Sequence, residues 1–477
     1  MKHAPFLSDQ LCDIQGMLNS GFGWLTNSRF LLLTIGEERQ EQARKWLFEI
    51  AKSNLMISAK RVKDRKKNQE KPIREVVAIA FSFSGLAKLG LKETSNHPFP
   101  TPFRSGMGSA LRESLLRDVP REWRWSDVEG FSSRQAVHVL VAQWWLADAE
   151  PRMPPPDPDA FSTITTVENR PESFRKDGKL YEPFGFRDGI AQPVIRGLRD
   201  EEGGNPNRVK QDAGTLYEDR VIDPGEFVLG YRNQYDELTY TPDLEHWAES
   251  GRATHPGGRF TLNGSYLAVR QIEQNVKAFE AFEKANGEVI CAKLMGRSKD
   301  GLPLSWKGPP NARVSDSTAD AFRYQVDDAD GFMCPKGAHI RRMNPRDSLG
   351  VDVKSGVKSS KLHRLLRRGR PYLELSEDDD RREGLFFIAC NADLERQFEF
   401  MHQRWMRNFR FVNLDHEDDP VVGSPKAPKM FTIPGLPSGG QISLETLTRS
   451  RGGGYFFLPG IKAFEFIVGY GGLSLES

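Results

Sequence analysis

The feature that most constrains this chain is a local plan that recurs along it: a short apolar run followed directly by an amphipathic helix. "RFLLLTIG" (residues 29–36) leads into "EERQEQARKWLFEIAKSNLM", where Ala43, Trp46, Leu47, Ile50 and Ala51 share one face. "GSYLAVRQIEQNVKAFEAFEKA" opens as a strand at Gly264 and runs on as a helix, with Ile272, Val276 and Phe279 spaced four and three apart. "GLFFIACNADLERQFEFMHQRWM" repeats the plan, with Leu394, Phe398, Met401 and Trp405 spaced four, three and four. Such spacings line each apolar set along one helical stripe. Further strands are read in "VVAIAFSFS" (76–84) and "QAVHVLVAQ" (135–143). Strand–helix–strand units in both halves predict an α+β duplication, with helices on one face of an antiparallel sheet.

At 477 residues the chain exceeds what one hydrophobic core usually serves, so two domains are expected. The span 196–226 is dense in Gly, Pro, Asn and Asp and is read as their connection, giving domains 1–220 and 221–477 with a cleft suited to a cofactor. With 67 basic against 65 acidic residues, the chain lacks the basic footprint of a dedicated nucleic-acid binder. The run at 61–75 is basic but interrupted by acids, as in a solvated loop. Cys12, Cys291, Cys334 and Cys390 form no CxxC pair, which argues against a disulfide scaffold or a structural zinc site, and no CxxCH is present for covalent haem attachment. No apolar run reaches eighteen residues and no export signal opens the sequence, so a cytoplasmic protein outside the membrane is expected.

Three short stretches can carry chemistry. "CPKGAHIRRMNPR" holds His339 on a Gly-Ala turn beside Arg341 and Arg342. No HExxH or HxH accompanies it, and by spacing alone it reads as a lone histidine. An iron porphyrin, however, needs one axial ligand and cations for its two carboxylates, and a lone imidazole with adjacent arginines supplies both. Cys334, five residues earlier, is the alternative axial ligand, as a thiolate. "EPFGFRDGIAQP" places Asp188 between Gly185 and Gly189, either an ordinary Asp-Gly turn or an acid presented to a planar ligand. "HRLLRRGRPYLE" puts Arg367 and Arg368 before Gly369, a short basic turn.

Together these stretches resemble the dye-decolourising peroxidase family of haem enzymes, with "GFRDG", "CPKGAHIRRMNPR" and "LRRGRPY" similar to three of its signatures. "DIQGMLNSGFG", "GEFVLGYRNQ", "GSYLAVRQIEQ", "GLFFIACNADLERQFEFMHQRW" and "RGGGYFFLPG" are similar to others, so the ordered series covers nearly the whole chain. The resemblance implies two ferredoxin-like domains with antiparallel sheets and peripheral helices, and one non-covalent haem b per chain between them. It implies His339 as the iron ligand, Asp188 as distal acid–base group and Arg367 as its partner, with Leu385 and Phe387 lining the distal face. Arg341 is expected at a propionate. Asp393 is similar to an acid that bonds the proximal imidazole, its other reading being a helix N-cap. The implied reaction reduces hydrogen peroxide and oxidises dyes or phenolics by one-electron steps, without nucleic acid or membrane. Leu373 stands where the family has Gly, and "DVKSGVKSSK" reads as an exposed loop between His339 and Arg367. A non-enzymatic haem carrier, or a protein releasing iron from haem, would share the binding residues. An RNA-binding ferredoxin-like sheet is a further alternative.

Overall fold

The computed structural model describes residues 6–66, 72–130, 135–169, 171–198, 216–252, 258–307, 315–375, 381–424, 429–436 and 440–469. Two sets of four strands repeat one connectivity. In the first set, β1 (Asn27–Ile35), β2 (Glu75–Phe81), β3 (Val139–Trp145) and β4 (Phe161–Asn169) lie in the order β4-β1-β3-β2. In the second set, β5 (Ser265–Gln274), β6 (Leu366–Arg367 and Arg370–Leu375), β7 (Arg381–Asn391) and β8 (Thr448–Leu458) lie in the order β8-β5-β7-β6. All neighbours within each set are antiparallel. The four-one-three-two order of each set is that of a ferredoxin-like unit, so the duplication expected from the recurring local plan is present.

The two units are joined edge to edge, where Phe457 of β8 pairs with Phe81 of β2. The remaining edges curl toward one another: Asn169 at the end of β4 donates to the Pro371 carbonyl at 2.8 Å, and Phe30 of β1 stacks on Phe386 of β7 at 4.3 Å between centroids. The joined sheet is therefore a nearly closed barrel. Successive side chains alternate faces, so Phe30 and Leu32 enter the interior with Ala78, Leu140, Val269, Ile388 and Phe456, while Leu31, Leu33 and Ile35 point outward. The outer face is covered by helices, among them Gln40–Lys52 and Ile461–Gly469. A strand buried on both faces needs apolar residues in succession rather than in alternation, and every residue of β2 is buried.

Three local readings are corrected or refined. Ile272 lies on β5, and the following helix begins at Val276, where the Asn275 side chain accepts from the Ala278 N–H and ends the strand. The span 352–361 is not an exposed loop: Val353–Lys361 is a helix, started by a reciprocal cap between Asp352 and Ser355. After β7 the chain widens into π-helical turns over Glu395–Glu399 and Met401–Met406, which still bury Phe398, Met401 and Trp405 together. The glycines of "RGGGYFF" lie in β8, and a Cβ on Gly452 would fall 2.2 Å from the Trp125 ring nitrogen, so close packing accounts for at least that one. Most of the turn-rich connection (199–215) and the centre of the basic run (67–71) lie outside the described residues.

Candidate functional site

A cavity of about 280 Å³ lies against the outer face of the second unit's sheet. Cross-strand register explains its floor: Leu385 pairs with Ile272 and Phe387 with Arg270, so these four share one face, and all four line the cavity. Phe386, between them, points into the barrel. By sequence Asp188 belongs to the first half, but its loop packs on the second unit. The Arg187 N–H donates to the Lys299 carbonyl at 3.0 Å, and Arg367 donates to the Ile190 carbonyl at 2.7 Å. Gly185 and Gly189, at φ +86° and +84°, occupy backbone conformations that favour glycine and turn the loop around the acid. Asp188, Arg367, Leu385, Phe387 and His339 all line this one cavity. Among the described residues, no protein donor hydrogen-bonds the Asp188 carboxylate.

His339 opens the one-turn helix His339–Met343. Its Nδ1 is 2.9 Å from Oδ2 of Asp419, a wholly buried carboxylate whose other oxygen accepts the N–H groups of Val421 and Val422, each at 2.9 Å. Burial opposes ionisation of Asp419, but the His339 ring and the N–H donors outweigh it and hold its carboxyl below the usual range. With Nδ1 engaged, Nε2 is the nitrogen left to a ligand. Asp393 does not make this contact. Its carboxylate accepts the Arg396 N–H at 3.0 Å, and it is half exposed. Asp393 thus bonds the first turn of its own helix, and the imidazole's partner is Asp419, in "HEDDPVVG".

Arg341 is also reassigned. It is buried away from the cavity, donating to the carbonyls of Asp328, Ala329 and Cys334 and lying over the Tyr324 ring. Two residues along a helix is about 200° of rotation, so Arg341 faces opposite to His339. Arg342 is likewise committed to carbonyls, including those of Trp405 and Glu417. Cys334 is buried and does not line the cavity, so it is not placed to reach a metal there, and loss of water pushes its thiol up to about 11. Leu373 is buried on β6 and lines neither this cavity nor its neighbour.

Residues not anticipated complete one end. Arg297, Arg346 and Arg364 line the cavity, yet with Arg220 they share a single buried carboxylate, Asp320. Against the effect of burial, Arg346, Arg220 and Arg297 hold Asp320 down at about 2, while burial pulls Arg364 down to about 10. Positive charge thus remains uncompensated there. Asn344 beside it has both amide atoms buried and without partners. This end fits a dianion, as the two carboxylates of a porphyrin require, with an imidazole elsewhere on the cavity wall for the metal. Glu182 also lines the cavity. Desolvation raises its carboxyl to about 7, despite N–H donors on Gln274, Phe186 and Phe184. His402 faces the cavity with both ring nitrogens unpartnered, and burial together with Arg270 and Arg407 holds its ring well below the usual imidazole range. Asn344 and Arg346 stood in the quoted histidine stretch and Arg364 beside Arg367. The legible signal was an arginine seven residues after His339, beyond the one-turn helix and Pro345.

A family profile described as Dyp-type peroxidase, C-terminal, matches residues 239–413. The chain is 27% identical over 424 residues to the dye-decolorizing peroxidase AauDyP1 of Auricularia auricula-judae, covering 81% of this chain and 74% of that protein. It is 31% identical over 230 residues to the multifunctional dye peroxidase DyP2 of Amycolatopsis sp., covering 42% of this chain and 47% of that protein. Among solved structures, the DyP-type peroxidase of Anabaena sp. superposes with a TM-score of 0.71 at 22% identity, over 98% of both chains. A dye-decolorizing peroxidase in complex with 2,6-dimethoxyphenol superposes with a TM-score of 0.69 at 22% identity, over 96% of this chain and 99% of that one.

Proposed function

Because the chain belongs to the dye-decolourising peroxidase family and is a peroxidase, we propose that it binds one non-covalent haem b in the cavity beside β5 and β7 and uses hydrogen peroxide to oxidise phenolics and dyes. The observation that carries this reading is the His339 imidazole, its Nδ1 fastened to a buried carboxylate, facing the same cavity as an unpartnered acid and a guanidinium. His339 would hold the iron through Nε2, with Asp419 fixing the ring's tautomer and orientation. Arg346, Arg364 and Asn344 would hold the propionates, and Arg297 adds charge to that end. When bound, the haem supplies the electrons that break the peroxide O–O bond and takes them back singly from an organic donor.

The chain's own groups manage protons and charge. Asp188, with no competing hydrogen bond from the protein, takes a proton from one peroxide oxygen and returns it to the departing one, a role worth about 10²–10⁴-fold. Arg367, tied by one nitrogen to the Ile190 carbonyl, offers its remaining N–H donors to the charge that develops as the bond breaks. Leu385 and Phe387 keep this wall apolar and limit water. Among the described residues the four cysteines are unpaired, which is in keeping with a reducing, cytoplasmic setting, and no helix is long and apolar enough to cross a membrane.

The test is a hemin titration followed by one equivalent of peroxide in a stopped-flow spectrometer. A saturable Soret band at one haem per chain, shifting on peroxide and recovering with 2,6-dimethoxyphenol, is the expected result. Haem uptake without any response to peroxide would favour the carrier reading, and no haem uptake would end both.

A further inference from the structure

A second cavity of about 500 Å³ opens beside the first and shares Asp188, Arg367, Leu385 and Phe387 with it. It is a vestibule to the wall where peroxide is to be cleaved, and it is strongly basic. Arg175, Lys179, Arg368 and Arg370 line it besides Arg367, and the carboxylates on its wall are Asp188 and Asp316, the latter paired with Arg187. Two of these arginines bond carbonyls rather than carboxylates. Arg175 donates to Gly23 at 3.1 Å and Gly178 at 3.3 Å, and Arg370 donates to Gly21 at 2.7 Å and Phe22 at 3.0 Å. Carbonyls orient a guanidinium without neutralising it. Arg370 is only 7% exposed and its Nε has no partner, nor has that of Arg175. Burial, with Arg175 alongside, pulls Arg370 down to about 10. Adjacent cations with so little counter-charge are costly unless an anion completes the site. Trp24, with Arg65 3.7 Å from its ring, adds an aromatic shelf.

We propose that this vestibule selects the oxidant, seating an organic hydroperoxide by a carboxylate at the end remote from its –OOH group. The proposal rests on the peroxidase reading above and goes beyond hydrogen peroxide, which needs only a small part of this volume. Leu385 and Phe387 stand on the wall common to both cavities, so a slender –OOH terminus passes while the anionic body stays among Arg175, Lys179 and Arg370. The overall change is ROOH + 2H⁺ + 2e⁻ → ROH + H₂O. The O–O bond breaks, Asp188 delivers a proton to the departing RO oxygen, and the organic donor supplies both electrons in single steps.

The matched probes are cumene hydroperoxide and its para-carboxylate, reacted with the haem-loaded protein and followed at the Soret band. The carboxylate should react about tenfold faster or more at low ionic strength, with the advantage shrinking as salt rises. Lys179→Glu, at an exposed position, and Arg175→Gln should each cut that advantage while leaving the hydrogen peroxide rate unchanged. Calorimetric titration with the unreactive product, the para-carboxylate of cumyl alcohol, should show binding that both variants weaken. Equal rates for the two hydroperoxides would overturn the proposal, as would an advantage that survives Lys179→Glu. A charge preference confined to the donor, seen as 4-hydroxybenzoate against phenol, would overturn it too. A normal hydrogen peroxide reaction in those cases would leave the peroxidase reading intact.

Discussion

Replacing Asp419 with Asn tests the proximal arrangement with almost no change of shape. In the native site Oδ1 accepts the N–H groups of Val421 and Val422, and Oδ2 faces Nδ1 of His339 at 2.9 Å. An amide at this position has one acceptor and one donor. Two backbone N–H groups demand the acceptor, because a buried N–H without a partner costs about 1–3 kcal/mol, so the NH₂ is left facing His339. Nδ1 must then accept, which moves the ring proton to Nε2, the nitrogen needed for iron. Loss of such a supporting partner costs about 10–100-fold in metal-site affinity, or about 1.4–2.8 kcal/mol. Hemin titration by Soret absorbance should show a dissociation constant raised by that factor and an altered ferric spectrum. The haem-free variant should unfold close to the wild-type temperature, since the fold loses no backbone bond. A wild-type hemin affinity and ferric spectrum in Asp419→Asn would refute the argument from tautomer to ligand.

Other perturbations separate the remaining groups. Asp188→Asn should keep its haem and react with peroxide about 10²–10⁴-fold more slowly, and Arg367→Leu about 10²–10³-fold more slowly; stopped-flow rates equal to wild type would remove both roles. Glu182 is protonated more readily in the folded chain, its carboxyl standing at about 7 against an ordinary 4.5. Its contribution to stability is therefore full in acid and is lost as pH rises from about 4.5 through about 7, so Glu182→Gln should flatten the fall in melting temperature between pH 5 and pH 8 that the wild type shows. Phe386→Ala empties a wholly buried ring that stacks on Phe30 across the closing edges of the sheet, and should cost about 3–5 kcal/mol in denaturant unfolding.

The fold was legible because its signals are local. Strands β1, β5 and β7 carry apolar runs that pass straight into helices, and two such halves leave few topologies besides a duplicated antiparallel unit. The closure of the barrel was not legible, since it depends on Asn169 meeting Pro371 and Phe30 meeting Phe386, pairs separated by 202 and 356 residues that no window spans. The same distinction governs the site. Asp188, Arg367 and His339 stood out because glycines or arginines surround them within a few residues, whereas Asp419 lies 80 residues from the imidazole it holds. Nearness in sequence misled in one respect. Their place in the sequence puts Arg341 and Arg342 beside the imidazole, but helical rotation turns Arg341 away, and carbonyls claim both.

What separates a structural arginine from a ligand-facing one here is the kind and completeness of its counter-charge. Arg341 is closed in by Asp328 and three carbonyls, so it needs nothing further. Arg297, Arg346 and Arg364 divide one Asp320 with Arg220, and Arg175 with Arg370 find carbonyls. A buried cation left undercompensated is unfavourable, and each of these two groups borders a cavity that meets Asp188. Charge left over at the first matches the two carboxylates of a porphyrin. Charge left over at the second has no such claimant, and its position outside Leu385 and Phe387 makes it a feature of what enters rather than of what resides. The two ends should therefore respond differently to added salt: haem affinity, governed by buried groups, changes little, while the rate with an anionic peroxide falls steeply.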